Sequence, residues 1–160
     1  MTSRVGLGVD VHPVGDDPSR PLVLGGVRFD DAPGLAGHSD ADVVAHAAAD
    51  ALLGAAGLGD LGSLFPDSDP AFAGADSLGL LAEVAARVRA AGWEPDNVDC
   101  AVVLEAPRLA PHRVAMQEAL SAAVGAAVTV KATRPERLGA LGRGEGVGCL
   151  AVALVHRVAP

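Results

Sequence analysis

The stretch "RVGLGVDVH" at positions 4–12 alternates strictly, with Val5, Leu7, Val9 and Val11 on one side and Gly6, Gly8, Asp10 and His12 on the other. A period of two residues is the period of a β-strand, and the apolar side reads as buried. Two glycines clear space on the face that carries the two polar groups. Asp10 and His12 therefore project together into room left for something else.

Working outward, "PLVLGGVRF" at 21–29 reads as two short strands joined through Gly25 and Gly26, a hairpin signal. In "GHSDADVVAHAAADALLGAAGLGD" at 37–60, Ser39 is an N-cap candidate with Asp40 and Asp42 in the first turn, and a helix from about 40 to 54 follows. Along that helix Asp42, His46 and Asp50 recur every four residues as one polar stripe, while Val43, Ala47, Ala51 and Leu52 lie on faces that can pack. The segment 57–77 is rich in Gly, Pro, Asp and Ser and reads as a long loop of the kind that binds or moves.

From Asp76 to Gly92 the spacing predicts an amphipathic helix, followed by a strand in "NVDCAVVLEA" at 97–106. A third helix is expected at about 108–124, a strand in "AAVTVKA" at 126–132, and a closing strand in "GCLAVALVHRV" at 148–158. Strands and helices in this order predict one α+β domain over residues 1–160, with helices packed on one face of a mixed β-sheet.

A length of 160 residues, half of them hydrophobic, suits one core. The formal net charge of −8 is spread along the chain, which argues against nucleic acid as a partner and requires any anionic substrate to be held by local cations or backbone N–H groups. Cys100 and Cys149 are too few and too far apart for a disulfide framework or a four-thiolate zinc site, and read as buried free thiols. Neither a signal-peptide pattern nor a membrane-length apolar run is present, so a cytoplasmic protein without membrane contact is expected.

Asp10 and His12 on a strand face, with His46 on a helix, form a ligand set suited to zinc with an open coordination position. Spacing alone favours the other reading, a buried hydrogen-bonded Asp10–His12 pair with His46 in an ion pair to Asp42 or Asp50, because D-x-H is a weak motif. Carboxylates in "FPDSD" at 65–69 and at Asp60 either hold a hydroxylated substrate or a cation, or serve ordinary turns. "GRGEG" at 142–146 either lets the backbone approach a phosphate or another subunit, or is simply the turn before the last strand. His112 and His156 have no ligand-like companions.

Taken together and in order, "GLGVDVH", the 37–70 segment, "NVD", "KAT" followed by "ERLG", and "GRGEG" resemble the 2-C-methyl-D-erythritol 2,4-cyclodiphosphate synthase family across nearly the whole chain. The resemblance implies a homotrimer of α+β subunits with active sites between subunits. It makes Asp10, His12 and His46 ligands of a zinc ion and gives Glu136 a second divalent ion, Mg²⁺ or Mn²⁺. It puts the substrate's phosphates beside Asp10, Val11 and His12, with His38 and Ser39 next to the reacting phosphate.

The same resemblance assigns Asp60, Leu61 and Gly62, with Phe65, Pro66, Asp67, Ser68 and Asp69, to the ribose and the methylerythritol. A cytidine pocket follows from Leu104, Glu105 and Ala106 through Pro107, Arg108, Leu109 and Ala110. The implied reaction turns 4-diphosphocytidyl-2-C-methyl-D-erythritol 2-phosphate into a cyclic diphosphate and CMP. A cytidine diphosphate-linked small molecule is thus the expected substrate.

Two positions depart from the family's pattern. The family usually has two successive threonines after "KA", the second associated with transition-state stabilisation, whereas this chain reads Thr133, Arg134, Pro135, Glu136. The guanidinium of Arg134 either replaces that threonine by binding a phosphate oxygen or turns outward. Ala140 stands where an aromatic residue commonly borders a central channel of the trimer, near Arg143, which matches an arginine that binds prenyl diphosphates in some members.

Overall fold

In the computed structural model, which describes residues 2–158, the alternating segment is β1 (Ser3–Pro13), an edge strand of a four-stranded sheet. Beside it run β6 (Gly146–Arg157), β4 (Trp93–Val103) and β5 (Ala127–Thr133), in the order β1-β6-β4-β5. The first two pairings are antiparallel and β4–β5 is parallel, so the sheet is mixed as the sequence predicts. Parallel neighbours need a crossover, and α4 (Arg113–Val124) supplies it. A separate hairpin of β2 (Pro21–Leu24) and β3 (Val27–Pro33) turns through Gly25 and Gly26 with φ of 58° and 75°, the paired positive values a tight hairpin turn demands.

Helix α1 (Val43–Ala56) crosses β1, β6 and β4 on one face of the sheet, and α3 (Ser77–Ala90) packs against both α1 and β4. Enclosed by the sheet and α3, α1 is apolar almost all round, and its alanines, Val43, Val44, Leu52 and Leu53 are buried together. The single-sided helices α3 and α4 bury only stripes, Leu81, Val84, Ala85 and Val88 on one and Met116, Leu120 and Val124 on the other. The glycines of β1 permit the closest contact in the core. A Cβ on Gly6 would be driven into the Ala51 carbonyl, and one on Gly8 into that of Ala47, so α1 rests on bare strand backbone.

Among the described residues nothing covers the opposite face of the sheet, which corrects the reading of β1 as buried on its apolar side. Val5, Leu7, Val9 and Val11 are 67%, 63%, 52% and 57% exposed, and Leu150 and Val152 of β6 extend the same patch. The physical reason is that the helices occupy only the glycine side, and strict alternation alone does not say which face is covered.

Helix α1 begins later than the sequence suggests, and its N-cap is Asp42 instead of Ser39. Residues before Val43 are extended or left-handed, Ala41 having φ 59°, and the Asp42 carboxylate accepts from Val44 N at 3.0 Å and Ala45 N at 3.2 Å. Its two oxygens also accept from Gly25 N at 2.8 Å and Gly26 N at 2.7 Å. One fully buried carboxylate thus ties the hairpin turn to the helix start, and burial pushes its pKa up against the pull of those N–H groups.

The 57–77 segment also differs from a plain loop. It contains a short helix α2 (Leu61–Leu64) capped by Asp60 and a 3₁₀ turn (Pro70–Phe72) capped by Asp69. Helix α4 starts at Arg113 after a 3₁₀ turn (Ala110–His112), five residues later than expected, because Pro111 lacks the N–H that an α-helix interior uses. At the end of the sheet remote from Asp10, Trp93 is buried with Arg4 and Arg157 guanidinium carbons 5.3 and 5.2 Å from its ring centroid. Among the described residues no helix is long and apolar enough to cross a membrane.

Removing the Asp42 carboxylate should leave four backbone donors without their side-chain acceptor. Asp42→Ala is expected to lower stability by about 3 kcal/mol or more, from loss of an N-cap and of two buried turn bonds, read as a drop in urea midpoint at unchanged m-value.

Candidate active site

The three predicted ligands converge. Asp10 and His12 lie on the side of β1 that faces α1, and His46, one turn into α1, hangs over them because the glycine contact brings the helix down onto the strand. His12 Nε2 is 3.1 Å and His46 Nδ1 is 3.0 Å from the same oxygen, Asp10 Oδ2. One donor atom from each residue lies within 4.8 Å of the others. Ligands about 2.0–2.1 Å from a tetrahedral ion stand roughly 3.3 Å from one another, so the set matches the spacing of a divalent metal site.

Hydrogen bonding of the outer ring nitrogens explains the aim of the inner ones. His12 Nδ1 donates to the Ala36 carbonyl at 2.7 Å, an atom that can only accept, which leaves Nε2 bare toward Asp10 when the ring is neutral. A bare nitrogen and a carboxylate oxygen 3.1 Å apart need a proton or a metal cation between them. Hydrogen bonding to Asp10 raises the His12 pKa against burial, which favours a proton in that place when no metal is bound. Burial alone would push Asp10 up, yet the hydrogen bonds from His12 and His46 outweigh it and hold that carboxyl at about 2.

His46 is restrained differently from the sequence reading. Neither Asp42 nor Asp50 accepts from its second nitrogen: Asp42 is occupied as the N-cap, and Asp50 accepts from Leu61 N at 2.7 Å, anchoring α2. Its Nε2 lies 2.8 Å from Ser77 Oγ and 3.2 Å from Ser39 Oγ. Ser77, contributed by the first turn of α3, had no signal in the sequence.

A cavity of about 500 Å³ opens over this cluster, lined by Asp10, His12, His38, Ser39 and His46, with Leu61, Gly62, Phe65 and Asp67 on the far wall. These are residues singled out from the sequence. Asp50, Phe72 and Leu80 also line it and were missed as wall residues, although the four-residue stripe from His46 to Asp50 carried the signal for the first. Asp60, Pro66, Ser68 and Asp69 do not reach the cavity wall. The Asp60 and Asp69 carboxylates cap helical turns, and the Asp69 carbonyl lies 3.1 Å from His38 Nε2. Arg20, another residue without sequence signal, donates to the Ser39 carbonyl beneath this wall.

The remaining predicted contacts gather elsewhere. Leu104, Glu105, Pro107, Arg108, Leu109 and Ala110 line a pocket of about 160 Å³ together with Thr133 and Arg134. Ala106 lines a neighbouring cavity of about 290 Å³ that also includes Arg143. Glu136, with φ 53°, and Pro135 lie on the loop after β5 and line none of these cavities, and Val11 points to the bare face of the sheet. Glu136 is therefore not brought to the Asp10–His12–His46 cluster within one chain. Ala140 is exposed, and Arg143 is paired with Glu145 at 2.6 Å. The "GRGEG" turn uses Gly146 to approach the His12 backbone, so its glycine serves β1 of the same chain.

A model of the YgbB family matches residues 3–156. The chain belongs to this family. A relative from Azoarcus sp. (strain BH72), named 2-C-methyl-D-erythritol 2,4-cyclodiphosphate synthase, is 55% identical over 157 residues, covering 96% of either chain. The bifunctional IspDF of Campylobacter jejuni superimposes with a TM-score of 0.92 at 41% identity over 98% of this chain, which spans 42% of that longer one. The Plasmodium falciparum IspF in complex with CDP gives 0.84 at 27% identity, covering 98% of this chain and 97% of that one. The YgbB fold thus carries the converging donors on β1 and α1.

The donor geometry predicts one divalent cation per chain. Titration of metal-free protein with Zn²⁺ in a calorimeter should give unit stoichiometry, and Asp10→Ala should weaken binding at least ~100-fold, since the carboxylate oxygen is shared by both histidine contacts.

Proposed function

We propose that this YgbB-family chain catalyses cyclisation of 4-diphosphocytidyl-2-C-methyl-D-erythritol 2-phosphate to 2-C-methyl-D-erythritol 2,4-cyclodiphosphate with release of CMP, a phosphorus–oxygen lyase reaction of isoprenoid precursor synthesis in the cytoplasm. The observation that carries the reading is the convergence of Asp10, His12 and His46 in the wall of a cavity large enough for a phosphorylated polyol. The substrate's own 2-phosphate oxygen attacks the β-phosphorus of its diphosphate. One P–O bond forms as the bond to the CMP oxygen breaks, and the electron pair leaves with CMP.

No protein nucleophile is required, so the chain's task is folding the substrate and managing its charge. Two unit charges brought to ~4 Å repel by about 4 kcal/mol at an effective dielectric near 20. A protein of net charge −8 has to offset this locally. Asp10, His12 and His46 would hold Zn²⁺, and Glu136 a Mg²⁺ or Mn²⁺; bound there, these ions supply Lewis-acid neutralisation of phosphate oxygens. His38 and Ser39 flank the reacting phosphate, and Arg20, fixed on the Ser39 carbonyl, adds a positive charge behind them. Leu61, Gly62, Phe65 and Asp67 enclose the methylerythritol.

The cytidine is assigned to the pocket of Leu104–Ala110, and Arg134 at its edge is assigned the role usual for the second threonine. Its guanidinium makes no hydrogen bond among the described residues, which leaves it available to a phosphate oxygen. Within one chain that pocket and the metal-ligand cavity are separate. Assembly as a homotrimer, with the bare apolar face of β1 and β6 packed between copies, would bring one subunit's cytidine pocket to the next subunit's metal cavity and deliver Glu136.

Phosphorus NMR of the purified protein with the substrate, Zn²⁺ and Mg²⁺ should show CMP and the cyclic diphosphate forming together, with no inorganic phosphate. His46→Ala should abolish both products, and Arg134→Ala should lower kcat by about 100-fold. Inorganic phosphate appearing in place of CMP would mean hydrolysis and reject the cyclase reading.

The assembly is tested separately. Val9→Asp puts a charge in the exposed β1 face and is expected to convert a trimer to monomers in sedimentation, with zinc binding retained and turnover lost. A native chain that sediments as a monomer yet turns over would reject the shared site.

A further inference from the structure

We infer that Asp40 and Ser77 act as a positioning relay that makes His46 a metal ligand through Nδ1; this rests on the metal reading above. Ser77 is 1% exposed, and its hydroxyl donates to Asp40 Oδ1. Both Asp40 oxygens are already engaged by backbone donors, Oδ1 by Asp42 N at 3.1 Å and Oδ2 by Ser77 N at 3.1 Å, and an N–H can only donate. The carboxylate is therefore held as an acceptor, and Ser77 has one hydroxyl proton, which it spends there.

His46 Nε2, 2.8 Å from that Ser77 oxygen, then has one way to make a hydrogen bond: as the donor. A neutral imidazole carrying its proton on Nε2 has its lone pair on Nδ1, the atom that faces Asp10 Oδ2 at 3.0 Å. Ser39 cannot decide the matter. Its oxygen is 3.2 Å from Nε2, accepts from Ala41 N at 3.2 Å, and its hydroxyl is free to rotate, so it serves either tautomer. Without the Ser77 bond, the Ser39 proton can turn to Nε2 and favour the form whose Nδ1–H blocks the metal.

The arrangement also couples two parts of the chain. Ser77 begins α3 at the end of the 57–77 segment, whereas Asp40 precedes α1, and Asp40 N donates to Ala75 O at 3.1 Å. The closing segment of the cavity is thereby joined to the ligand geometry at one point.

The test measures zinc affinity by competition with a chromophoric chelator in the native chain, Ser77→Ala, Asp40→Ala and the double variant. Each single substitution is expected to weaken Zn²⁺ binding 10- to 100-fold, as loss of an outer partner of a ligating histidine does, and the double variant to be no weaker than the worse single one because both act along one path. In ¹⁵N-labelled, zinc-loaded native protein the His46 Nε2–H should give a sharp downfield resonance, exchange-broadened in Ser77→Ala. Native affinity in Ser77→Ala with the resonance intact, or losses that simply add in the double variant, would overturn the relay. A native chain that binds no zinc would instead overturn the metal reading on which it stands.

Discussion

The contact of α1 with bare strand backbone at Gly6 and Gly8 is the constraint on which the rest of the molecule depends. Side chains hold a helix away from a sheet in most α/β packing, because both surfaces are studded with Cβ atoms. Here the strand presents hydrogens where those atoms would be, and the Ala47 and Ala51 carbonyls descend onto it. Immediately before Ala47 in the chain, His46 is lowered to hydrogen-bonding distance of Asp10. The alanine content of α1 follows from the same geometry, since larger side chains on the descending face would lift the helix and open the ligand set.

Much of this was legible because it was local and periodic. Alternation in β1 gave the strand and the common direction of Asp10 and His12, and the four-residue spacing gave the stripe containing His46. The hairpin at Gly25–Gly26 and the start of α3 near Asp76 were likewise carried by neighbouring residues. What escaped depended on partners distant in the chain. Asp42 caps α1 because its carboxylate also meets a turn 16 and 17 residues earlier, and nothing in "SDAD" distinguishes it from Ser39 without that turn. Ser77 and Arg20 reach the site from other elements and have no pattern of their own. The uncovered face of the sheet was illegible for another reason: alternation reports that two faces differ, not which one a neighbouring layer covers.

Charge is handled in the same economical way across the site. Asp10 faces a ring nitrogen of each of two histidines, Asp42 accepts from four backbone N–H groups, and Asp40 accepts from a hydroxyl and two N–H groups. Asp10, Asp40 and Asp42 are thus committed to aiming a ligand or fixing a turn, while Asp67 stands on the cavity wall. An acidic protein can in this manner keep a site hospitable to phosphate without a broad basic surface.

The chain has one tryptophan and no tyrosine, and that tryptophan is Trp93, clasped by Arg4 and Arg157. Six residues of extended β1 separate Arg4 from Asp10, roughly 20 Å. Near-ultraviolet emission from the protein therefore originates from a single place, where β1, β4 and β6 come together at the end remote from the cavity. Intrinsic fluorescence should follow the joining of the three strands during refolding while staying largely blind to ligand arrival, so the chain has a built-in optical gauge of sheet formation that is independent of its chemistry.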